Sequence, residues 1–371
     1  MKRVKLGDIA IEKRETWIGS TQGVPIVGLE HLVPGEVTLS SWDSDTDNTF
    51  SKMFRKGQVL LGRRRVYLKK AVIAPFDGIC SGDITVIEAL PGKISSRLLP
   101  FVIQNERFFD YAMQGSAGSL SPRVKWEHLK DYEFNLPDYE EQDCLADKLW
   151  SALKLRESYQ SLLQATDEMV KSRFIEECYS RYPKQKLGGH ISVIRGVSYK
   201  PSDVRSSVDE GVVIILRSNN IADGEINFDD LVYVVHERVQ NEQKLKPGDI
   251  VMCGSNGSIG LVGKAGLLKD NMPNTAFGAF CLGIKCKETI LPEYLNTYFN
   301  TQVYRNEIES MGNGTNIINI RPDNITNLSI PIPPVEKQMA FVEVVNQADK
   351  SKFELKQAIE KIDKVMRALM Q

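Results

Sequence analysis

The sequence predicts a mixed α/β (α+β) protein built twice over: two globular halves of unlike sequence and like layout, each followed by a long amphipathic helix. Three observations predict it. Landmarks recur in the same order in both halves. Short β-branched runs follow glycine turns within each half. Two long stretches free of proline and glycine carry a heptad-like apolar pattern.

The repeat begins with Lys5-Leu6-Gly7 and Lys186-Leu187-Gly188. Arg55 to Leu60 is answered by Leu245 to Val251, and Leu98-Leu99-Pro100 by Ile290-Leu291-Pro292. The best match is last: Gly118-Ser119-Leu120 leads to Glu140-Glu141-Gln142, and Gly314-Thr315-Asn316 leads to Glu336-Lys337-Gln338. Both of these landmark pairs are offset by 196 (314 − 118; 338 − 142). Register slips nearer the start imply loop insertions.

Strands are expected at 58–62, 71–74, 84–87, 212–216 and 249–252, and helices at 97–112 and 293–308. Beyond each Glu-x-Gln mark the apolar period becomes 3.5. The expected seam of the first long helix is Leu145, Leu149, Ala152, Leu155, Tyr159, Leu162, Thr166 and Met169. That of the second includes Val342, Val345, Leu355, Ile359, Ile362, Met366 and Leu369. No Pro or Gly interrupts 140–182 or 336–371. Tyr182-Pro183 should stop the first helix. Each helix must bury one stripe, and an antiparallel pair between the two is the simplest way. The expected divisions are 1–138, 139–182, 183–334 and 335–371.

Composition bounds the function. The 371 residues are 42% hydrophobic with a formal net charge of −1, which fits packed domains and does not advertise a nucleic-acid partner. No run of 18 apolar residues is present and no apolar core follows Met1–Asp8, so neither a membrane span nor a secretory leader is expected, and the expected location is cytoplasmic. The six cysteines form no CxxC pair, so no zinc site is expected.

Catalytic motifs are missing as well. Gly257 to Lys264 has the wrong spacing for a phosphate loop, and Ala265 stands where Ser or Thr would hold magnesium. The Gly254, Gly257, Gly260 spacing is not the dinucleotide fingerprint. Ile332-Pro333-Pro334-Val335 lacks the flanks of an amino-methyltransferase motif, and Glu354-Leu355-Lys356 reads as a solvated helix face rather than a nuclease centre.

Local charge is more telling. Lys52 to Lys70 holds eight basic residues and no acid, among them Arg63, Arg64, Arg65, Lys69 and Lys70. Such a run suits phosphate neutralisation, and an arginine fork can read guanine. In the second half, Arg195 and Lys200 lie in an acid-free stretch, as do Ser255, Asn256 and Ser258 in a Gly-rich loop. Arg217 and Asn219 follow a strand, and Thr315, Asn316, Asn319 and Arg321 form an amide-rich cluster. Asn pairs bidentately with adenine, and Ser or Thr contacts phosphate or base. In the first half the matching stretch is Ser119 to Lys125, with Ser119, Arg123 and Lys125 as candidates. Each of these residues has a plainer reading as a turn former or solvated charge.

Taken in order, these segments resemble the specificity subunit of Type I restriction–modification systems. The resemblance is carried by Leu61 to Lys70 with Asp77 to Ile84, by Lys246 to Ile250 with Gly257 to Gly260, and by Ile330 to Gln338. It implies two target recognition domains, each reading one half of a bipartite double-stranded DNA site, with two long antiparallel coiled-coil helices setting the spacer. It implies docking of two methyltransferase (M) subunits that use S-adenosylmethionine, and of restriction (R) subunits that use ATP and Mg. The chain itself would be non-catalytic and hold no cofactor, metal or membrane. The two heads differ where the Asn-rich stretch of the second faces Ser119 to Lys125 of the first, so they should read different half-sites. Two other readings compete: a solitary DNA-modifying enzyme with an unrecognised site, and a coiled-coil scaffold without DNA contact.

Overall fold

A computed structural model describes residues 1–45, 47–116, 122–206, 211–311 and 319–370. The chain divides into two compact units, 1–160 with 357–371, and 161–356. The long helices, Tyr139–Arg173 and Val335–Leu369, each contribute one stretch to each unit.

Unit one holds a four-stranded antiparallel sheet in the order Ala10–Lys13, Ile84–Ala89, Val59–Gly62, Ala71–Ile73. Val59 to Gly62 are all buried, as expected of a β-branched and leucine run at the centre of a sheet. A three-stranded sheet, Ile26–Val27, Gly78–Cys80 and Lys52–Phe54, lies beside it. Unit two repeats the plan with more strands: a six-stranded sheet with Ile250–Cys253 and Ala265–Leu267 at its centre, and a four-stranded one around Val212–Leu216. The strand expectations hold to within two residues at each end.

The repeated landmarks mark fasteners. Lys2–Lys5 pairs with Glu133–Leu136, and Lys184–Lys186 pairs with Ser329–Pro331. Just after each opening strand, the amide of Leu6 donates to Tyr132 O and that of Leu187 to Leu328 O, both at 2.9 Å. Gln142 is buried; its Oε1 accepts from Ser95 N at 2.8 Å and its Nε2 donates to Pro137 O at 3.0 Å. Gln338 does the same with Leu291 N and Pro333 O, both at 2.8 Å, and adds Thr289 O at 3.0 Å. The recurring Glu-x-Gln is therefore a bolt that fixes each long helix to its own head.

Three expectations change. Residues 97–112 and 293–308 do not form single helices. Each is two: Leu99–Gln104 and Glu106–Gln114, then Pro292–Phe299 and Gln302–Ser310. The breaks fall at N-caps, where Asn105 accepts from Arg107 N and Thr301 from Tyr304 N. A side chain that caps one helix starts a new one.

The seam of the first long helix is also turned. Leu155, Leu162 and Met169 are exposed. The inward face carries Ala146, Leu149, Leu153 and Arg156 in unit one, and Leu163, Asp167, Val170 and Phe174 in unit two. Counting apolar residues alone misses this face because two members are charged. Arg156 pairs with Asp363 at 3.6 Å within unit one, and Asp167 with Lys352 at 2.8 Å within unit two. Within unit two, going forward from Asp167 to Phe174 on one side goes back from Lys352 to Phe341 on the other, so the two stretches pair antiparallel there. The second helix follows the expected seam: Leu355, Ile359, Ile362, Met366 and Leu369 are all partly buried.

The first helix does not run to Tyr182 as an α-helix. It becomes a π-helix at Phe174–Tyr179, which sends Phe174 and Cys178 into the core of unit two. There Phe174 meets Tyr294 and Phe341 at ring separations of 5.0 and 5.6 Å. Burying such a ring contributes roughly 1.5–3 kcal/mol.

Candidate nucleic-acid interface

In each head the loop after the central strand crosses a second loop, and a tight turn sits against the crossing. In unit one, the amide of Val124 donates to Arg63 O at 3.0 Å, and that of Arg65 to Pro122 O at 2.8 Å. Arg64 and Arg123 face each other in an antiparallel bridge. The turn Ser81–Asp83 is held by the amide of Arg63, which donates to Asp83 O at 2.9 Å.

Unit two reproduces this crossing. The amide of Ile320 donates to Gly254 O at 2.8 Å, Ser255 bridges Asn319, and the amide of Gly254 donates to Phe280 O at 2.8 Å. Arg123 and Asn319 thus occupy one position, 196 residues apart (319 − 123), and so do Lys125 and Arg321 (321 − 125). Both of the latter precede a short helix as its N-cap residue. Asp83 in one head stands where Phe280 stands in the other.

The side chains on this common frame differ. In unit one, the Asp83 carboxylate takes a two-pronged hydrogen bond from Arg123, 2.7 and 3.0 Å, and lies 3.7 Å from Arg64 Nη1. The Arg123 hydrogen bond holds the Asp83 carboxyl below the usual carboxylate range. The two arginines are thereby ordered before any ligand arrives. Beside them lies a cleft of about 680 Å³, whose lining includes Arg63, Lys125, Trp126, Glu12 and Lys52.

Of the remaining basic residues of Lys52 to Lys70, Lys52 alone lines this cleft, and Lys52, Arg55, Lys69 and Lys70 each have a partner of their own. Lys52 reaches Glu12 and Ile84 O, Arg55 reaches Glu15, and Lys69 reaches Glu106 at 3.4 Å. Lys70 Nζ donates to Leu29 O at 2.6 Å. Arg65 and Lys69 take left-handed backbone (φ 53° and 52°) on either side of a single turn that leaves Tyr67 exposed.

In unit two, Asp230 plays the ordering part. Its carboxylate accepts from Arg217 Nη2 at 2.7 Å and from Asn219 Nδ2 at 3.1 Å. Asn256 Nδ2 donates to Ser218 Oγ at 3.1 Å, and Asn256 Oδ1 accepts from Ser258 N at 3.0 Å, which joins the Gly-rich loop to the Arg217 loop. A cleft of about 530 Å³ opens between Tyr199, Arg217, Ser218, Asn219 and Phe280. Arg321 is exposed at the edge of the crossing. Arg195 and Lys200 are exposed on neighbouring segments: Arg195 ends a strand paired with Leu282, and Lys200 caps a short turn with Asp203. Ser119, Thr315 and Asn316 lie outside the described residues.

Sequence reasoning missed Asp83, Asp230, Phe280 and Tyr199. It sought cations and amides, so the acids that order them were passed over. Aligning Ser81-Gly82-Asp83 with Gly278-Ala279-Phe280 would have exposed the first and third. Among the described residues no cluster of metal-ligating side chains occurs, and no helix is long and apolar enough to cross a membrane.

Residues 205–364 match the model of the Type I restriction modification DNA specificity domain. The StySPI specificity subunit of a Type I restriction enzyme from Salmonella potsdam is 35% identical over 171 residues, 45% of this chain and 36% of that protein. This chain therefore matches about a third of that relative's length. The MjaVIII specificity subunit from Methanocaldococcus jannaschii is 26% identical over 94% of this chain and 80% of its own. The S subunit of a Type I restriction-modification system from M. genitalium, at 11% identity, superposes over 100% of this chain and 94% of its own with a TM-score of 0.57. The fold expected from the sequence is thus the fold observed, and over these stretches the chain is similar to the Type I specificity subunits.

Proposed function

We propose that the chain is the non-catalytic DNA-reading subunit of a Type I restriction–modification complex. Each head reads one half of a bipartite site, and the long helices set the spacer and dock methyltransferase subunits. Those partners supply S-adenosylmethionine chemistry, and restriction subunits supply ATP- and Mg-dependent steps.

One observation carries this reading. Two loop crossings share a backbone plan and differ in the groups they present: arginines ordered by Asp83 in one, and amides, hydroxyls and Arg217 in the other. Ordered arginine forks and amides are the groups that distinguish base edges in the major groove. A shared frame with different readers is what an asymmetric two-part site requires. The exposed basic groups Lys125 and Arg321, each the N-cap residue of a short helix, suit phosphates, which position a protein without specifying sequence.

Co-expression with the cognate methyltransferase, followed by modified-base sequencing, tests it. The wild-type complex should methylate one bipartite sequence. Exchanging 183–334 for the same region of another specificity subunit should change one half-site and leave the other intact. A change in both half-sites, or in neither, contradicts the modular reading. A scaffold without DNA contact would show no salt-dependent DNA binding even in the complex.

A further inference from the structure

We infer that Phe280 reads the 5-methyl group of a thymine in the half-site of the second head. This rests on the DNA-reading role proposed above and adds to it a named base feature.

Phe280 is 71% exposed, the most exposed aromatic side chain among the described residues. Its exposure does not come from a loose turn. Phe280 O accepts from both Gly254 N (2.8 Å) and Ser255 N (3.0 Å). The turn is closed by the amide of Cys281 donating to Gly278 O at 2.8 Å, and tied to the neighbouring strand by Gly278 N donating to Leu216 O at 2.9 Å. Gly196 packs so closely on it that a Cβ there would lie 2.0 Å from Gly278 O. Four residues of three other segments, Gly254, Ser255, Leu216 and Gly196, therefore hold the turn whose ring the fold does not bury. A large apolar ring left in water gives up the stabilisation its burial would bring, and an aromatic presented from a turn whose backbone is held in this way suits contact with a partner.

The company of Phe280 indicates what it contacts. The same cleft is lined by Arg217 and Asn219, both bound to Asp230, and by Ser218, which is bound to Asn256. These groups match the donor and acceptor edges of the major groove. The one apolar feature of that groove is the C5-methyl group of thymine, for which phenylalanine is a known type of partner. Aromatic wedges that prise base steps apart act from the minor groove instead and kink the duplex. At the corresponding position the first head carries Asp83, an acid committed to Arg123, which offers no apolar surface. Methyl reading at this position therefore belongs to the second head alone.

The test uses the chain assembled with its cognate methyltransferase and the duplex identified by modified-base sequencing. Each thymine of the second half-site is replaced in turn by deoxyuridine, which removes only the methyl group. One replacement should weaken binding about fourfold, the factor supplied by burying a single carbon of this size. Phe280→Ala should weaken binding to the thymine duplex by a similar factor and become indifferent to the replacement. Phe280→Leu, which keeps an apolar side chain, should retain part of the preference. Binding to first-half-site variants should be unchanged by either substitution. A second half-site without thymine, or an undiminished thymine preference in Phe280→Ala, overturns the inference. So does a Phe280-dependent DNA bend with no deoxyuridine effect, which would mark a wedge. If the wild-type complex shows no sequence-specific binding at all, the DNA-reading role itself falls and the inference falls with it.

Discussion

The loop crossings of the two heads invite comparison. Backbone hydrogen bonds at Arg63 and Val124 are repeated at Gly254 and Ile320, and the buttressing turns meet them through the carbonyls of Asp83 and Phe280. The frames are nearly interchangeable while the side chains on them are opposites: a carboxylate that orders two arginines, against a bare aromatic ring. This separates two tasks. Backbone bonds and buried glutamines make a head; exposed side chains at the crossing decide what it reads. If the separation is sound, frame residues should be equivalent between heads in kind of effect, and crossing residues should not.

The largest expected effect tests the frame. Gln142→Ala removes two hydrogen bonds and Gln338→Ala removes three, from side chains that are 1% and 0% exposed. Each strands at least one buried amide or carbonyl, so Gln338→Ala should cost about 3 kcal/mol and Gln142→Ala about 2 kcal/mol. Each loss should be confined to its own head. Hydrogen–deuterium exchange read separately over 1–138 and 183–334 measures this. Equal loosening of both heads by either variant would show that the frames are not independent.

The crossing comes next. Asp83→Asn keeps the shape and removes the charge that orders Arg123 and Arg64. Two opposed changes should follow on first-half-site DNA. Discrimination against a scrambled half-site should drop roughly tenfold, at the low end of what one good base contact supplies. Nonspecific affinity should rise, with the salt slope steeper by about one unit because one more cation is free to meet phosphate. Anisotropy titrations over a range of salt measure both. Unchanged discrimination with a steeper slope would make Asp83 a charge regulator and not an organiser of readers.

Much of this was legible in the sequence. The ordered landmarks located both frames because the frame is a matter of backbone bonds, and those need particular residues: glutamine for a bolt, glycine for a close approach. The long helices were legible for the same reason, except on the inward face of the first, where Arg156 and Asp167 occupy seam positions that an apolar count skips. Pairing those charges across the helices lets them sit where leucine would be expected. The crossing was legible only in part. Arg63 to Arg65, Arg123 and the amides were found by type. Asp83 and Phe280 were not, because neither type signals DNA contact until its neighbours in space are known.

The smallest effect separates the frames themselves. Lys5-Leu6-Gly7 and Lys186-Leu187-Gly188 are the same landmark, yet their glycines are not equally confined. A Cβ on Gly7 would lie 2.9 Å from Lys130 Cβ and 3.2 Å from Lys130 O, while the amide of Gly7 donates to that same oxygen at 2.8 Å. A Cβ on Gly188 would lie 3.2 Å from both the Cβ and the O of Thr326. The first contact forces a shift of backbone that is hydrogen-bonded in place; the second needs only a few tenths of an ångström from its neighbour. Replacing glycine by alanine also restricts the unfolded chain, a gain of about 0.4–1 kcal/mol. Gly188→Ala should therefore be close to neutral, and Gly7→Ala should destabilise its head by about 1 kcal/mol. Exchange rates of the amides in Lys2–Lys5 and Lys184–Lys186 would show the difference. If both substitutions loosen their strands equally, the two frames are matched more tightly at this joint than their contact distances indicate, and the division between a common frame and divergent readers becomes stricter.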